Sequence, residues 1–424
     1  MFSLDKTYLK NIGWQGMGNS AAQAVNILSL PIISRLFSPG ELGMLSMFVE
    51  ALAFVSIVIS LRVEHVVMLP RKDREAFELF AFVFSFGILS CILFTVLVVI
   101  FALLGIIPSD YRLWALFLPV TAFLMVVSLA VQQLSQRSAN FRLSGISEAV
   151  NRFSNSLFSI VAGAFGAPGI VLGIAVAVGS FFKSLMFMSY FRELSANLLR
   201  ASLIGLRRIK RQGVQKLLGS LIFSHGMLAV TSFLPLWFIS MRWGNDYVGY
   251  FSLVLTTLAL PTRLLGTAVG QVFYQRASST FSTKKPFCDL FISNAKLLFL
   301  IAVPGFSIVF FFGPFLYPFV FGQEWGIAGQ VAQYYVFAAA LSFLSVPFDR
   351  SGLIVNAWWY GPGWHLGRLV TTIAVIYFID LYNATFFDFL FWLTIQASTM
   401  YVIDALATYL FSRRTRPFPS KLFV

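Results

Sequence analysis

The sequence predicts an all-α protein that crosses a membrane about twelve times, as two pseudo-symmetric bundles of six helices. Composition is the first observation behind this prediction: of 424 residues, 58% are hydrophobic and only 11% are charged. Soluble globular proteins carry about 25% charged residues. The second observation is a mean hydropathy of +0.81. The third is that the apolar residues form long segments separated by short polar loops.

Each predicted span is a mainly apolar segment that reaches the roughly 20 residues needed to cross a bilayer. In chain order the spans lie near residues 11–34, 44–61, 77–106, 113–134, 143–166, 168–191, 214–241, 250–273, 289–312, 328–348, 362–381 and 387–411. The third is longer than a bilayer requires, so we expect it to tilt. The eighth contains Pro261, Gly266 and Gly270, which predict a kink. The Gly-Pro-Gly run at 361–363 interrupts the start of the eleventh.

The distribution of lysine and arginine sets the predicted orientation, because cytoplasmic loops of membrane proteins collect these residues. With the N-terminus in the cytoplasm, most of the 31 lysines and arginines fall on the cytoplasmic side. The outside loops then hold only Arg35, Arg112 and Arg242. We therefore predict a multi-pass membrane protein with both termini in the cytoplasm. The net charge of +14 then reflects topology and contact with anionic membrane lipids, and it does not indicate nucleic-acid binding.

The longest polar connection, residues 192–213, divides the chain into two predicted domains, 1–206 and 207–424. Each half begins with a similar pattern, in which a Leu-Pro pair in the first helix precedes a G-x-x-S pattern in the second. The residues concerned are Leu30, Pro31, Gly43 and Ser46 in the first half, and Leu234, Pro235, Gly249 and Ser252 in the second. A parallel repeat of this kind is typical of transporters. Chance matching of apolar sequence is the alternative.

Five basic residues lie inside predicted spans, and they are the sharpest indication of function. A charge at the centre of a bilayer costs about 2.5–3.5 kcal/mol on insertion scales. Such residues therefore face a water-filled cavity, a counter-charge or an anionic ligand. The five are Arg152, Lys183, Arg263, Lys296 and Arg368. From the rise of about 1.5 Å per helical residue, Arg152 and Arg263 lie deepest.

Each of these cations has a structural alternative. Lys183, Lys296 and Arg368 lie nearer the cytoplasmic ends of their helices, from which they can snorkel to the lipid headgroups. Arg152 can pair with a glutamate one turn away on the same helix. Arg263 can pair with a carboxylate on a neighbouring helix.

Polar side chains recur along single faces of several predicted spans. The first span carries four amides spaced by four, four and three residues: Gln15, Asn19, Gln23 and Asn26. Such spacing places side chains on one helical face. Asn155 belongs to a similar stripe on the fifth span. Because buried amides in hydrocarbon need partners or water, the stripes predict a polar cavity. Hydrogen bonding between neighbouring helices is the alternative.

Few acidic residues share this depth, which leaves the predicted cavity net positive. Glu50 and Asp404 are candidates to bind a coupling proton or sodium ion, and pairing with basic residues is their alternative. Arginine suits bidentate binding of phosphate, and lysine acts as a point charge. A cationic cavity of this kind predicts an anionic cargo, most simply a phosphate or diphosphate headgroup.

Several function classes are disfavoured. The G-x-x-x-x-G-K-[ST] pattern of nucleotide-binding loops does not occur, which disfavours an ATP motor within this chain. The chain has three histidines, and none shows metal-ligand spacing, so we expect no cofactor. The exposed loops are short, which disfavours a membrane enzyme with a catalytic loop. We therefore expect a transporter.

Three segments resemble one protein family. The stretch LRVEHVVMLPRKDREAFEL at 61–79 resembles the first cytoplasmic loop of the bacterial polysaccharide-biosynthesis flippases, the Wzx-type O-antigen flippases. The run from Leu234 to Ser278 and VFGQEWGIAGQVAQ at 320–333 are also similar to that family. The more specific matches are those at 261–277 and 322–329, and the remaining sequence would match many transporters.

The resemblance implies a fold and an activity. The family belongs to the multidrug/oligosaccharidyl-lipid/polysaccharide exporter superfamily, whose members form a V of two six-helix bundles, as in MATE transporters. It implies translocation of undecaprenyl-diphosphate-linked oligosaccharide across the bacterial inner membrane for O-antigen or other surface polysaccharide. The five basic residues would hold the diphosphate, and Gln15, Asn19, Gln23, Asn26 and Asn155 would meet sugar hydroxyls. Polysaccharide polymerase machinery is a further partner to expect.

Two other hypotheses remain from the sequence. The first is a cation-coupled exporter of small drugs from the same superfamily, in which Glu50 and Asp404 would be central. The second is a membrane scaffold for polysaccharide synthesis that transports nothing itself.

Overall fold

The computed structural model describes residues 6–70, 72–194, 198–210 and 212–418. Within these ranges the chain is helical, with no β-strand. Nine helical stretches in the described ranges are long and apolar enough to cross a membrane. The prediction of an all-α, multi-pass membrane protein is confirmed. The chain divides into two compact units, Met1–Ala229 and Val230–Val424.

Eight helices and most of a ninth form the first unit. They are α1 Lys6–Leu36, α2 Pro39–Ser60, α3 Asp73–Leu103, α4 Ser109–Arg137, α5 Phe141–Ala164, α6 Ile170–Leu185, α7 Met188–Leu194 and α8 Leu198–Ile209, followed by α9 Gln212–Trp243, which continues into the second unit. A short 3₁₀ turn, Val63–His65, joins α2 to α3. The predicted division at 206/207 stays a prediction.

The second unit continues with seven further helices. They are α10 Asn245–Leu258, α11 Thr267–Ser282, α12 Cys288–Phe321, α13 Gly326–Ser345, α14 Ser351–Ile354, α15 Tyr360–Leu381 and α16 Phe386–Ser412. A π-helical turn, Thr262–Gly266, links α10 to α11. Two 3₁₀ turns, Gln323–Trp325 and Val346–Phe348, lie on either side of α13.

Every predicted span contains a helix, but two of the predicted helices are not continuous. The sixth predicted span, 168–191, breaks after Leu185, and α7 begins at Met188. The eighth, 250–273, is interrupted by the π-helical turn that follows Pro261. Proline lacks the N–H needed to continue the helical ladder, so the expected kink takes this form.

Three predicted spans lie outside the nine long apolar stretches. The helix α6 is apolar but shorter. The helices α1 and α5 are long, but amides, hydroxyls and charges along them lower their hydropathy. These are the two helices on which the sequence predicts polar stripes.

Glycines allow α1 and α5 to touch along their backbones. A Cβ atom on Gly18 would lie 2.3 Å from the carbonyl carbon of Gly145, and one on Gly145 would lie 2.5 Å from the Trp14 oxygen. Contacts this short are open only to glycine. The close approach brings the two polar helices of the first unit side by side.

Candidate functional site

The second unit contains a cavity of about 270 Å³ within its membrane-crossing helices. It is lined by α10, the π-helical turn, α13, α15 and α16. The lining residues are Leu255, Leu258, Ala259, Thr262, Arg263, Tyr335, Ala338, Ala339, Ser342, Arg368 and Tyr401. Two of the five basic residues predicted from the sequence therefore meet at one cavity, and none of these lining residues is acidic.

Arg263 lies in the π-helical turn directly after Pro261. Its N–H donates to the carbonyl of Ala259 at 2.9 Å, and its own carbonyl accepts from the Thr267 hydroxyl at 2.8 Å. The wide turn fixes the backbone of Arg263 while its side chain reaches the cavity wall. Single π-helical turns of this kind are frequent at functional sites.

Aromatic rings surround the guanidinium of Arg368. Its Cζ atom lies 5.6 Å from the ring centre of Trp364 and 5.9 Å from that of Tyr401. Both distances fall within the range of cation–π attraction. Gln396 donates an amide hydrogen bond to the Thr371 hydroxyl at 2.7 Å, which ties α15 to α16 near this point. The rings therefore restrict the positions that Arg368 can adopt.

The sequence predicts Arg368 as a site residue but did not lead us to Trp364. Trp364 could have been identified from the sequence, because it precedes Arg368 by one helical turn and so lies on the same helical face. Tyr335, which also lines the cavity, could not be found in this way, because it belongs to α13, a different helix.

Asp404 is buried nearby on α16, at 7% exposure. Its carboxylate accepts hydrogen bonds from the hydroxyls of Tyr360, at 2.8 Å, and Ser345. Within the described residues it forms no ion pair with lysine or arginine. Glu50 is half-buried on α2 in the first unit, also without an ion pair among the described residues. Asp404 is thus hydrogen-bonded to hydroxyl groups. The sequence analysis named pairing with a basic residue as the alternative to ion binding at Asp404.

In the first unit, Glu148 joins two of the predicted basic residues. Lys183 donates from Nζ to Glu148 Oε2 at 2.6 Å, and Arg152 Nε lies 4.0 Å from Glu148 Oε1. Lys183 is 5% exposed, so it is paired inside the protein and does not snorkel. The Arg152 side chain is 48% exposed. Of the two cations, Arg152 is the more accessible to a ligand.

The predicted polar stripe of α1 belongs to the helix that packs against α5. Gln15 donates an amide hydrogen bond to Asn19 at 3.1 Å. In the described part of the chain, the side-chain oxygens of Gln15 and Gln23 are buried without a hydrogen-bond partner. Asn26 and Asn155 are half-buried. Buried amide oxygens without partners are suited to accept hydrogen bonds from a hydroxyl-rich ligand.

Lys296 is placed differently from the other four cations. It lies on α12 with its side chain exposed, and it does not line the cavity that holds Arg263 and Arg368. Among the described residues, no cluster of histidine, cysteine or carboxylate side chains is arranged to hold a metal ion.

The model of a family described as polysaccharide biosynthesis protein matches residues 32–328. None of the curated proteins compared with the chain matches it.

Several solved structures are similar over nearly the whole chain. An inward-facing multidrug resistance MATE family transporter of the MOP superfamily matches over 94% of each chain, with a TM-score of 0.59 and 14% identity. An outward-facing structure of such a transporter matches over 96% of this chain and 95% of that one, with a TM-score of 0.57 and 13% identity. A MOP superfamily transporter from Pyrococcus furiosus matches over 95% of this chain and 94% of that one, with a TM-score of 0.58 and 11% identity. Its structure is described as having a binding pocket of reverse polarity. At such low identity the likeness shows a shared fold.

Proposed function

The chain belongs to the polysaccharide biosynthesis protein family, and from this premise we propose that it is a flippase for lipid-linked oligosaccharides. The proposed cargo is an undecaprenyl-diphosphate-linked repeat unit, moved across the bacterial cytoplasmic membrane for O-antigen or another surface polysaccharide. The observation that carries the proposal is the cavity of the second unit, in which Arg263 and Arg368 meet without an acidic residue in its lining.

The chemistry of this cavity favours a diphosphate. Two guanidinium groups present planar forks of N–H donors, which match pairs of phosphate oxygens. Basic residues within membrane-crossing helices typically face a cavity or the bundle interior and mark the pathways of substrates and ions. A diphosphate that carries a lipid tail supplies the anion and enters from the bilayer, where its tail can remain during transport.

The first unit supplies groups suited to sugars. Arg152 is accessible beside the ion-paired Lys183, and the α1 amides provide donors and acceptors. In our proposal, Gln15, Asn19, Gln23, Asn26 and Asn155 contact sugar hydroxyls of the cargo. Lys296 is a peripheral contact in this scheme.

We propose that transport proceeds by alternating access, with both termini in the cytoplasm. Protonation of Asp404, or ion binding there, is the proposed coupling event, because its carboxylate is buried and accepts hydrogen bonds from the hydroxyls of Tyr360 and Ser345. Glu50 is a second candidate for this role. Polysaccharide polymerase machinery would receive the flipped unit outside.

A second candidate function is cation-coupled export of small drugs. The multidrug resistance transporters that share the fold favour it, and so does the buried carboxylate of Asp404. The two functions differ in cargo charge, since a drug exporter coupled to cations does not require an arginine pair in its cavity. Drug resistance conferred on a sensitive host by this chain would support export instead.

The test is deletion of the gene in its host, followed by analysis of lipid-linked intermediates. A flippase deletion accumulates complete repeat units on the inner leaflet, whereas loss of a synthetic scaffold leaves truncated units. Complementation with Arg263→Ala should fail to restore surface polysaccharide at normal protein levels. Arg276→Gln, which removes an exposed cation further along the same helical stretch, is the control and should complement. Full complementation by Arg263→Ala would exclude this arginine from the mechanism.

A further inference from the structure

The helix α8, Leu198–Ile209, has one face fixed to α3. A Cβ atom on Gly205 would lie 2.3 Å from the carbonyl oxygen of Glu78, so the backbones of the two helices are in contact. Ile209, one turn later, is buried on the same side. This packing fixes which residues of α8 point away from α3.

An ion-pair cluster secures the same contact. Arg208 donates from Nε to Glu78 at 2.6 Å, and its Nη1 lies 3.1 Å from Glu75. The hydrogen bond to Glu78 raises the pKa of Arg208 above its usual value. Arg208 is therefore ion-paired with α3, and these glutamates neutralise its charge within the protein.

The outward face of α8 carries cations without such partners. Arg200, Arg207 and Lys210 are exposed and form no ion pair within the described residues. Leu203 is 61% exposed and Leu206 is 36% exposed. Residues 200, 203, 207 and 210 follow one another at spacings of three, four and three, so they form one continuous stripe. We call Arg200, Leu203, Leu206, Arg207 and Lys210 the outer stripe.

The position of α8 places the outer stripe at a membrane boundary. The helix α3 is a membrane-crossing candidate, and α8 is bound to its first two turns through Glu75 and Glu78. A helix lying at a bilayer surface typically combines basic residues with leucines that enter the headgroup region. A purely water-facing surface would leave Leu203 and Leu206 exposed without compensation.

We propose that the outer stripe of α8 is a binding surface for anionic phospholipid headgroups. The guanidinium and ammonium groups bind lipid phosphates, while Leu203 and Leu206 insert beside them. Each basic residue near an anionic membrane surface strengthens binding roughly fivefold, so three produce a marked preference for anionic lipid. This surface is separate from the cavity of the second unit, and it does not depend on the proposed cargo.

Hydrogen–deuterium exchange of the full-length protein in lipid nanodiscs tests this surface. Exchange of residues 198–210 is compared between discs of phosphatidylcholine and discs that also contain phosphatidylglycerol. We expect exchange at least tenfold slower with phosphatidylglycerol, because bound headgroups suppress local opening of the helix. High salt should remove the difference, since it screens surface charges.

Three variants make the result specific. The triple substitution Arg200→Gln, Arg207→Gln and Lys210→Gln should abolish the effect of phosphatidylglycerol. The conservative pair Arg200→Lys and Arg207→Lys, which keeps the charge, should retain it. The control triple Arg276→Gln, Lys284→Gln and Lys285→Gln removes the same charge from exposed positions of the second unit and should also retain it. Equal protection in both lipids, or persistence of the effect in the first triple variant, would overturn the proposal.

Discussion

Arg263 and Arg368 line the same cavity of the second unit, although one lies in a π-helical turn and the other on α15. Their convergence concentrates two positive charges within helices that cross the membrane. The π-helical turn after Pro261 fixes the backbone of Arg263, whereas aromatic rings lie against the side chain of Arg368. In our proposal, these two positive charges are in place for an anionic cargo before it binds.

The aromatic partner of Arg368 should contribute to binding without touching the cargo. Replacing Trp364 with leucine removes a cation–π contact of about 1 kcal/mol, so we expect affinity for a diphosphate-linked lipid to fall roughly fivefold. Trp392→Leu is the control, since this exposed tryptophan lies on α16 away from the cavity. Titrating each purified variant with the diphosphate-linked lipid measures the affinities of Trp364→Leu and Trp392→Leu. An unchanged affinity in Trp364→Leu would show that the ring does not orient Arg368.

The Lys183–Glu148 pair should stabilise the first unit. Lys183→Met leaves the half-buried Glu148 with only the distant Arg152, and we expect a loss of about 2 kcal/mol in unfolding free energy. Adding Glu148→Gln should recover part of the loss, because the uncompensated charge is removed. Lys296→Met, at an exposed position, is the control for stability. Equal thermal midpoints for Lys183→Met and the unmodified protein would argue against the pair.

Two glycines of α1 make a matched test of its contact with α5. Gly18→Ala would place a methyl group 2.3 Å from the Gly145 backbone, and we expect a loss of about 1–3 kcal/mol from overpacking. At Gly16, two residues earlier, a Cβ atom would meet no neighbouring atom within 4 Å, so Gly16→Ala should be neutral or slightly stabilising. Thermal unfolding in detergent compares them, and similar midpoints would contradict the packing.

His65 should make stability depend on pH. It lies in the turn after α2, with its ring stacked 5.5 Å from that of His225. Burial lowers the pKa of His65 below its usual 6.5, and the charge of Arg62 adds to this, while Glu64 opposes it. Because the unfolded chain then binds the proton more readily, stability is retained above about pH 6.5 and falls as the pH drops below that value.

Thermal midpoints measured between pH 5 and pH 8 check the sign of this effect. His65→Gln should flatten the acidic limb of the curve, because glutamine does not titrate. An acidic limb that remains as steep in His65→Gln would assign the pH dependence to other groups.

The helices and the basic residues within them could be predicted from the sequence because each depends on local pattern. Apolar length located the spans, and Pro261 with its glycines located the interruption before α11. The pairing of Lys183 with Glu148 could not be predicted, because it joins α5 to α6 through tertiary packing. The residues 192–213 were read as a polar connection. Helix α8 lies within them. Its amphipathic pattern can be read from the sequence, but its packing on α3 depends on tertiary contacts that the sequence does not show.

The most direct test of the cationic cavity compares two ligands that differ only in the presence of the diphosphate. Affinity of the purified protein is measured for a short polyprenyl-diphosphate-linked sugar and for the same polyprenyl sugar without phosphates, with Arg263→Gln and Arg368→Gln as variants. We predict that the unmodified protein prefers the diphosphate ligand at least tenfold, and that each variant loses most of this preference, as expected for charge-assisted hydrogen bonds. Equal affinity for the two ligands, or a preference unchanged in both variants, would contradict diphosphate binding at Arg263 and Arg368.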